Sequence, residues 1–102
     1  MTAEVLADNV VSVTHDTKNV TVVMSDGKQL YNEISYYSIL RIINDCFVRV
    51  NKNSIVNLSY ATRIDKNVVY MANDDSYEIE KEHLKDVTNM FYRLKLEKFR
   101  PN

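Results

Sequence analysis

The side chains able to do chemistry in this 102-residue chain are two histidines, one cysteine and a scatter of carboxylates, amides and lysines. His15 sits beside Asp16, the smallest arrangement that could work as an acid–base pair. Adjacent residues of a strand point to opposite faces, however, so the pair is poorly placed to cooperate. His83 lies among Glu80, Glu82 and Asp86 at the start of a helical pattern, where a solvated acidic face is the simpler account. Cys46 is the only cysteine, which excludes an internal disulfide and makes a poor metal site. Next to Phe47 it reads as a core residue and not as a nucleophile. There is no HExxH, no GxSxG, no Gly-rich phosphate loop and no pair of cysteines. No catalytic, cofactor-binding or metal-binding set is therefore expected, and neither is a small-molecule substrate. What remains is Asn51-Lys52-Asn53, a polar triplet between Val50 and Ile55. As residues alone, it reads as a turn.

The elements that would position these groups are mostly strands. Period-2 patterns run over Asn9 to His15, with Val11 and Val13 assigned to one face, and over Asn19 to Met24. The one glycine, in Asp26-Gly27 before Lys28 to Tyr31, predicts a type I′ hairpin turn. Further strands are expected at Phe47 to Val50, Ala61 to Ile64, Val68 to Met71 and Tyr77 to Ile79. Asn and Asp would serve the turns at Asp65-Lys66-Asn67 and Asn73-Asp74-Asp75. Two segments break the alternation. Ser35 can cap a helix running to about Asp45, with Tyr36, Ile39, Leu40 and Ile43 on its apolar face. A second helix is predicted from Glu82 to Leu94, burying Leu84, Val87, Phe91 and Leu94, with acids near its start and Arg93 and Lys95 near its end. The predicted core comprises Ile39, Leu40, Ile43, Val48, Val56, Val69, Leu84, Val87 and Phe91. Pro101 falls in a short polar tail.

Length and composition describe one small folded domain over residues 1–102, 45% hydrophobic and 26% charged. The apolar runs are short, and no basic start precedes an apolar stretch, so neither a membrane span nor a signal peptide is read; a cytoplasmic location is expected. A formal charge of −1 and a pI near 6.1 do not announce a nucleic-acid binder. The charges are segregated, though. Arg41, Arg49, Lys52, Arg63 and Lys66 face only Asp45 and Asp65, the next segment is acidic, and the C-terminal segment is basic again. That order either builds one positive face or leaves scattered solvated charge.

The stretch from Phe47 to Leu58 closely resembles the signature of the LytTR family of bacterial DNA-binding domains, aromatic-x-Arg-x-His-Arg-Ser-x-x-Val-Asn. Phe47, Arg49, Val56 and Asn57 match at the family separations. The family's His-Arg-Ser is replaced by Asn51-Lys52-Asn53, and its Ser-Arg before the last helix by Glu80-Lys81. The order of elements also agrees, so the resemblance covers about residues 8–94.

The resemblance implies a β-rich α+β fold: small packed antiparallel β-sheets with two short helices. It also implies sequence-specific double-stranded DNA binding by loops in the major groove, as the output domain of a bacterial response regulator or other transcription regulator. Carried over position by position, the DNA contacts would be Lys18 and Asn19 in the first hairpin, Asn51, Lys52 and Asn53 in the central loop, and Lys81 before the last helix. Lysine can donate to guanine or hold a phosphate, and asparagine can pair with adenine. Asn57 is expected to be a structural hydrogen-bonder, and the Tyr36-Tyr37 pair to belong to core and interface. Self-association on promoter repeats would supply affinity that one copy lacks. The alternative is a DNA-silent protein-interaction module that dimerises with, or antagonises, a LytTR regulator.

Overall fold

The computed structural model describes residues 6–98, with side chains through Glu97. Within them lie eight strands and two α-helices, in the order β1 (Val10–His15), β2 (Val20–Met24), β3 (Gln29–Tyr31), α1 (Tyr36–Ile42), β4 (Phe47–Asn51), β5 (Ser54–Asn57), β6 (Ala61–Asp65), β7 (Val68–Met71), β8 (Ser76–Glu78) and α2 (Lys81–Lys98). Short 3-10 turns precede β1 and β6. The polar tail containing Pro101 lies outside the described residues.

The first five strands form one antiparallel sheet in the order β3-β2-β1-β5-β4, and β6-β7-β8 form a second. The large sheet is buried on both faces, so its central strands carry apolar residues on each of them. On one face Ile39 of α1 packs with Val10, Val13, Val22, Phe47 and Ile55. On the other, Val11, Val23, Val50 and Val56 meet Val69 and Met71 of the small sheet together with Val87 and Phe91 of α2. The layers are also tied by a polar link: Ser12, fully buried on β1, shares a 2.6 Å hydrogen bond with the Tyr77 hydroxyl on β8.

Val11 and Val13 do not share a face. A bulge falls between Val10 and Ser12 in the pairing with β2, and the two valines enter different clusters. One extra residue in a strand sends the side chains beyond it to the opposite face. Strand β5 is the element that the periodicity does not delimit. Its polar end residues Ser54 and Asn57 are buried, because this strand is sandwiched between β1 and β4.

The hairpin at Asp26-Gly27 is present, but not as a type I′ turn. Only Gly27 has positive φ (92°), its N–H donates to the Met24 carbonyl, and the Met24 N–H donates to the Lys28 carbonyl. This is the three-residue loop in which a turn is followed by a left-handed residue. Asp74 (φ 72°) plays the same part between β7 and β8. Between β6 and β7 the left-handed residue is Lys66 (φ 57°), and not a neighbouring Asp or Asn.

Both helices begin close to their expected starts. Ser35 caps α1 by accepting the Ser38 N–H. The helix stops at Ile42, short of Asp45, because the Asn44–Phe47 turn must already redirect the chain into β4. In so short a helix the buried stripe is narrow and centres on Ile39. Leu40 lies about 100° around the axis from it and is 43% exposed, so Leu40 is not a core residue. Ile39, Val56, Val69, Val87 and Phe91 are buried as expected, whereas Ile43, Val48 and Leu84 are half-buried against the two clusters. Helix α2 starts at Lys81 and runs to Lys98, beyond Leu94.

These positions set distinct costs. Phe91→Ala removes a buried ring and is expected to destabilise by about 3–5 kcal/mol, whereas Leu40→Ala should stay within about 1 kcal/mol. Urea denaturation of the two variants measures both; equal losses would contradict the helix faces described here.

Candidate nucleic-acid interface

One end of the large sheet gathers three connections. The turn between β1 and β2 holds Lys18 and Asn19, the turn between β4 and β5 is Lys52-Asn53, and the junction of β8 with α2 carries Lys81. The central turn touches both of the others. On one side the His15 N–H donates to the Asn53 carbonyl at 2.8 Å, extending the β1–β5 pairing into the loop. On the other, the Asn51 Nδ2 donates to the Glu78 carbonyl (2.9 Å), the Glu80 N–H to the Val50 carbonyl (2.8 Å), and the Lys52 N–H to the Glu80 carboxylate. All six positions singled out from the sequence thus fall on one edge, in the order β1–β2 turn, central turn, α2 start.

Their side chains are used differently. Asn51 is occupied structurally: its Nδ2 holds Glu78 and its Oδ1 accepts the Asn53 N–H at 3.0 Å. The Asn19 Oδ1 accepts from the Nδ2 of Asn32, a left-handed residue (φ 55°) whose own Oδ1 takes the Val20 N–H. Lys18, Lys52, Asn53 and Lys81 are exposed. Among the described residues, none of the three lysines has a carboxylate at ion-pair distance. A shallow depression lined by His15, Asp16, Thr17, Lys52 and Asn53 joins the first two loops.

Two of the carboxylates at this edge accept backbone N–H groups. Asp16 accepts the N–H groups of Lys18 and Asn19, each at 2.7 Å, and these bonds hold its carboxyl below the usual range. Glu80 accepts from Lys52. Both acids act as loop builders, so His15 and Asp16 are not an acid–base pair. The His15 ring lies 4.4 Å from that of Tyr36, and its Nε2 is buried with no hydrogen-bond partner. Burial, with the Arg49 charge nearby, lowers its pKa from 6.5, and the Asp16 charge opposes the shift without reversing it.

Several residues of this edge carry no motif that would single them out. Asn32 is one, and the bonds that Tyr36 and Glu80 make to the central turn are likewise visible only when loops distant in sequence come together. Asn57 behaves as expected, buried and bonded through Nδ2 to the Val10 carbonyl and through Oδ1 to the Ser59 N–H. Tyr36 is half-buried and Tyr37 is 78% exposed. Cys46 is half-buried in a groove with Phe47, Met90, Arg93 and Leu94, and so is not a fully buried core residue.

The two antiparallel sheets and two helices thus carry a polar, lysine-bearing loop edge at one end of the large sheet. Residues 2–92 match the family model of the LytTr DNA-binding domain, and the chain belongs to that family. It is a family of DNA-binding domains, not of enzymes, and double-stranded DNA is the partner it brings to this chain. Among solved structures, the chain is similar to the LytTr DNA-binding domain of a methyl-accepting/DNA response regulator from Bacillus cereus. That match has a TM-score of 0.69 and 16% identity, and covers 84% of each chain; it supports the fold alone. The comparison with curated proteins returned no match. Among the described residues no helix is long and apolar enough to cross a membrane.

A pH dependence follows from His15. Its folded pKa lies below 6.5, so the unfolded chain takes up the proton first as the medium is acidified. The contribution of the neutral ring is full above pH 6.5 and is lost as pH falls toward the depressed folded value. His15→Phe, which keeps a ring against Tyr36, is expected to flatten the fall of melting temperature across that acid window. An unchanged slope would contradict the assignment.

Proposed function

We propose that this chain, as one domain, reads double-stranded DNA sequence-specifically by laying its three loops into successive major grooves, serving as the output domain of a bacterial transcription regulator. The observation that carries the reading is the convergence of Lys18, Lys52 and Lys81 on one edge. Their ammonium groups have no carboxylate partner among the described residues, while the adjacent Asp16 and Glu80 accept hydrogen bonds from the loop backbone. Family membership supplies DNA as the partner. Local charge of this kind matters more to a DNA surface than the net −1 of the chain.

Within this reading Lys52 and Asn53, exposed at the tip of the central turn, are the base readers. Lys81 opens α2 between Glu80 and Glu82, which lower the local potential, and serves as a phosphate contact. Lys18 and Asn19 form the flanking contact. Asn51, occupied at both ends of its amide, shapes the turn. So few contacts bind weakly, and two copies on promoter repeats would supply the missing affinity through effective concentration.

Salt titration of single alanine variants, on a site selected from a random duplex pool, tests the roles. Lys81→Ala should weaken binding evenly across sequences and lower the salt slope by about one. Lys52→Ala should cost about 1–3 kcal/mol and relax preference at one position. Wild-type binding by Lys52→Ala at every salt concentration would contradict the central-loop assignment and bring forward the protein-interaction alternative. Footprints should show half-sites one helical turn, or a multiple of it, apart. Tight 1:1 binding to a single half-site would contradict self-association.

A further inference from the structure

The central turn is held from beneath by a residue that the DNA reading does not use. Arg49 of β4 is half-buried. Its Nη1 donates to the backbone carbonyls of Asn51 (3.2 Å) and Lys52 (3.0 Å), while its Nη2 donates to the hydroxyl of Tyr36 (2.7 Å). Among the described residues no carboxylate pairs with it. Tyr36 is the first residue of α1, placed by the Ser35 cap, and its ring lies against that of His15. One guanidinium thus joins α1 to the loop between β4 and β5.

We propose that Arg49 and Tyr36 act as a positioning pair that fixes the conformation of the Asn51–Asn53 turn, so that α1 sets the geometry of the central DNA-reading loop without touching DNA. This rests on the DNA reading of that edge for its functional consequence, but not for the contact itself. The turn needs such a support. The pairing of β4 with β5 shifts register between Arg49 and Asn51, leaving Val50 as an extra residue just before the loop. A bulge releases local ladder constraints, and the Arg49 guanidinium ties the carbonyls of Asn51 and Lys52 directly after it. A planar guanidinium can serve two carbonyls and a hydroxyl in one fixed geometry, whereas a lysine cannot reproduce that fork. Because the Arg49 charge meets only neutral acceptors, it also adds to the positive potential under the loop.

Two variants separate positioning from direct contact. Tyr36→Phe deletes one hydroxyl and keeps the ring against His15; Arg49→Gln deletes the fork. Amide hydrogen exchange is measured first, in the free protein. Exchange at Lys52 and Asn53 is expected to accelerate about tenfold in both variants, with Val13 and Val22 in the sheet unchanged. Unchanged exchange at Lys52 and Asn53, or an equal rise at all four, overturns the proposal. The same variants are then titrated with random-sequence duplex over a range of salt. Weaker binding by Tyr36→Phe at an unaltered salt slope is the expected result. A slope lowered by about one in Arg49→Gln, with Tyr36→Phe binding as wild type, would make Arg49 a phosphate contact and overturn the positioning role. Should the wild-type chain retain no duplex, the DNA reading fails, and the exchange result alone upholds or overturns the positioning pair.

Discussion

The structure of the three-loop edge depends on how the turn between β4 and β5 is tied. Asn51 and Glu80 make reciprocal connections across the two sheets: the Asn51 amide reaches the Glu78 carbonyl, and the Glu80 carboxylate reaches back to the Lys52 N–H. Between them the Glu80 N–H closes onto the Val50 carbonyl. These three bonds bring the start of α2 beside the central loop. On the opposite side the His15–Asn53 backbone bond brings in the β1–β2 turn. The apolar layers fix where the sheets lie, but this small polar seam fixes which loops stand next to one another. Hydrogen bonds at fixed donor and acceptor positions set which loops are neighbours even where, as here, the seam lies at the surface.

The same seam accounts for a DNA-binding domain with no net positive charge. Of the acids at the edge, Asp16 and Glu80 are turned onto backbone N–H groups. A carboxylate that accepts two such bonds shapes its loop and presents less of its charge outward. The lysines are left pointing to solvent, and Arg49 beneath them meets only neutral oxygens. Formal charge summed over the chain misses this, because affinity for a polyanion follows the local arrangement of charge.

Much of this was legible in the sequence. The strand periodicity, the Ser35 cap, the α2 stripe and the signature from Phe47 to Asn57 located nearly every element and gave the fold class. What was not legible shares one cause. Leu40 looks apolar by spacing, yet α1 is too short to bury a wide stripe; Val11 and Val13 alternate on paper, yet a bulge parts them. Ser54 carries a small polar side chain, yet it is buried because a strand lies on either side of β5. Local pattern reports the faces of ideal elements, and these departures are set by tertiary packing. Likewise the sequence marked Asn51, Lys52 and Asn53 as a polar run. Only the assembled edge separates Asn51, whose amide is occupied, from Lys52 and Asn53, whose side chains are exposed.

The central claim is that three loops far apart in sequence form one surface for DNA. A titration of the isotopically labelled chain with duplex DNA, followed by amide chemical shifts, addresses it most directly. The account predicts that the largest shifts cluster in three windows, around 16–19, 51–53 and 80–82, and that they move together as one binding event. Shifts concentrated instead on the outer face of α2 or along β6 would contradict it.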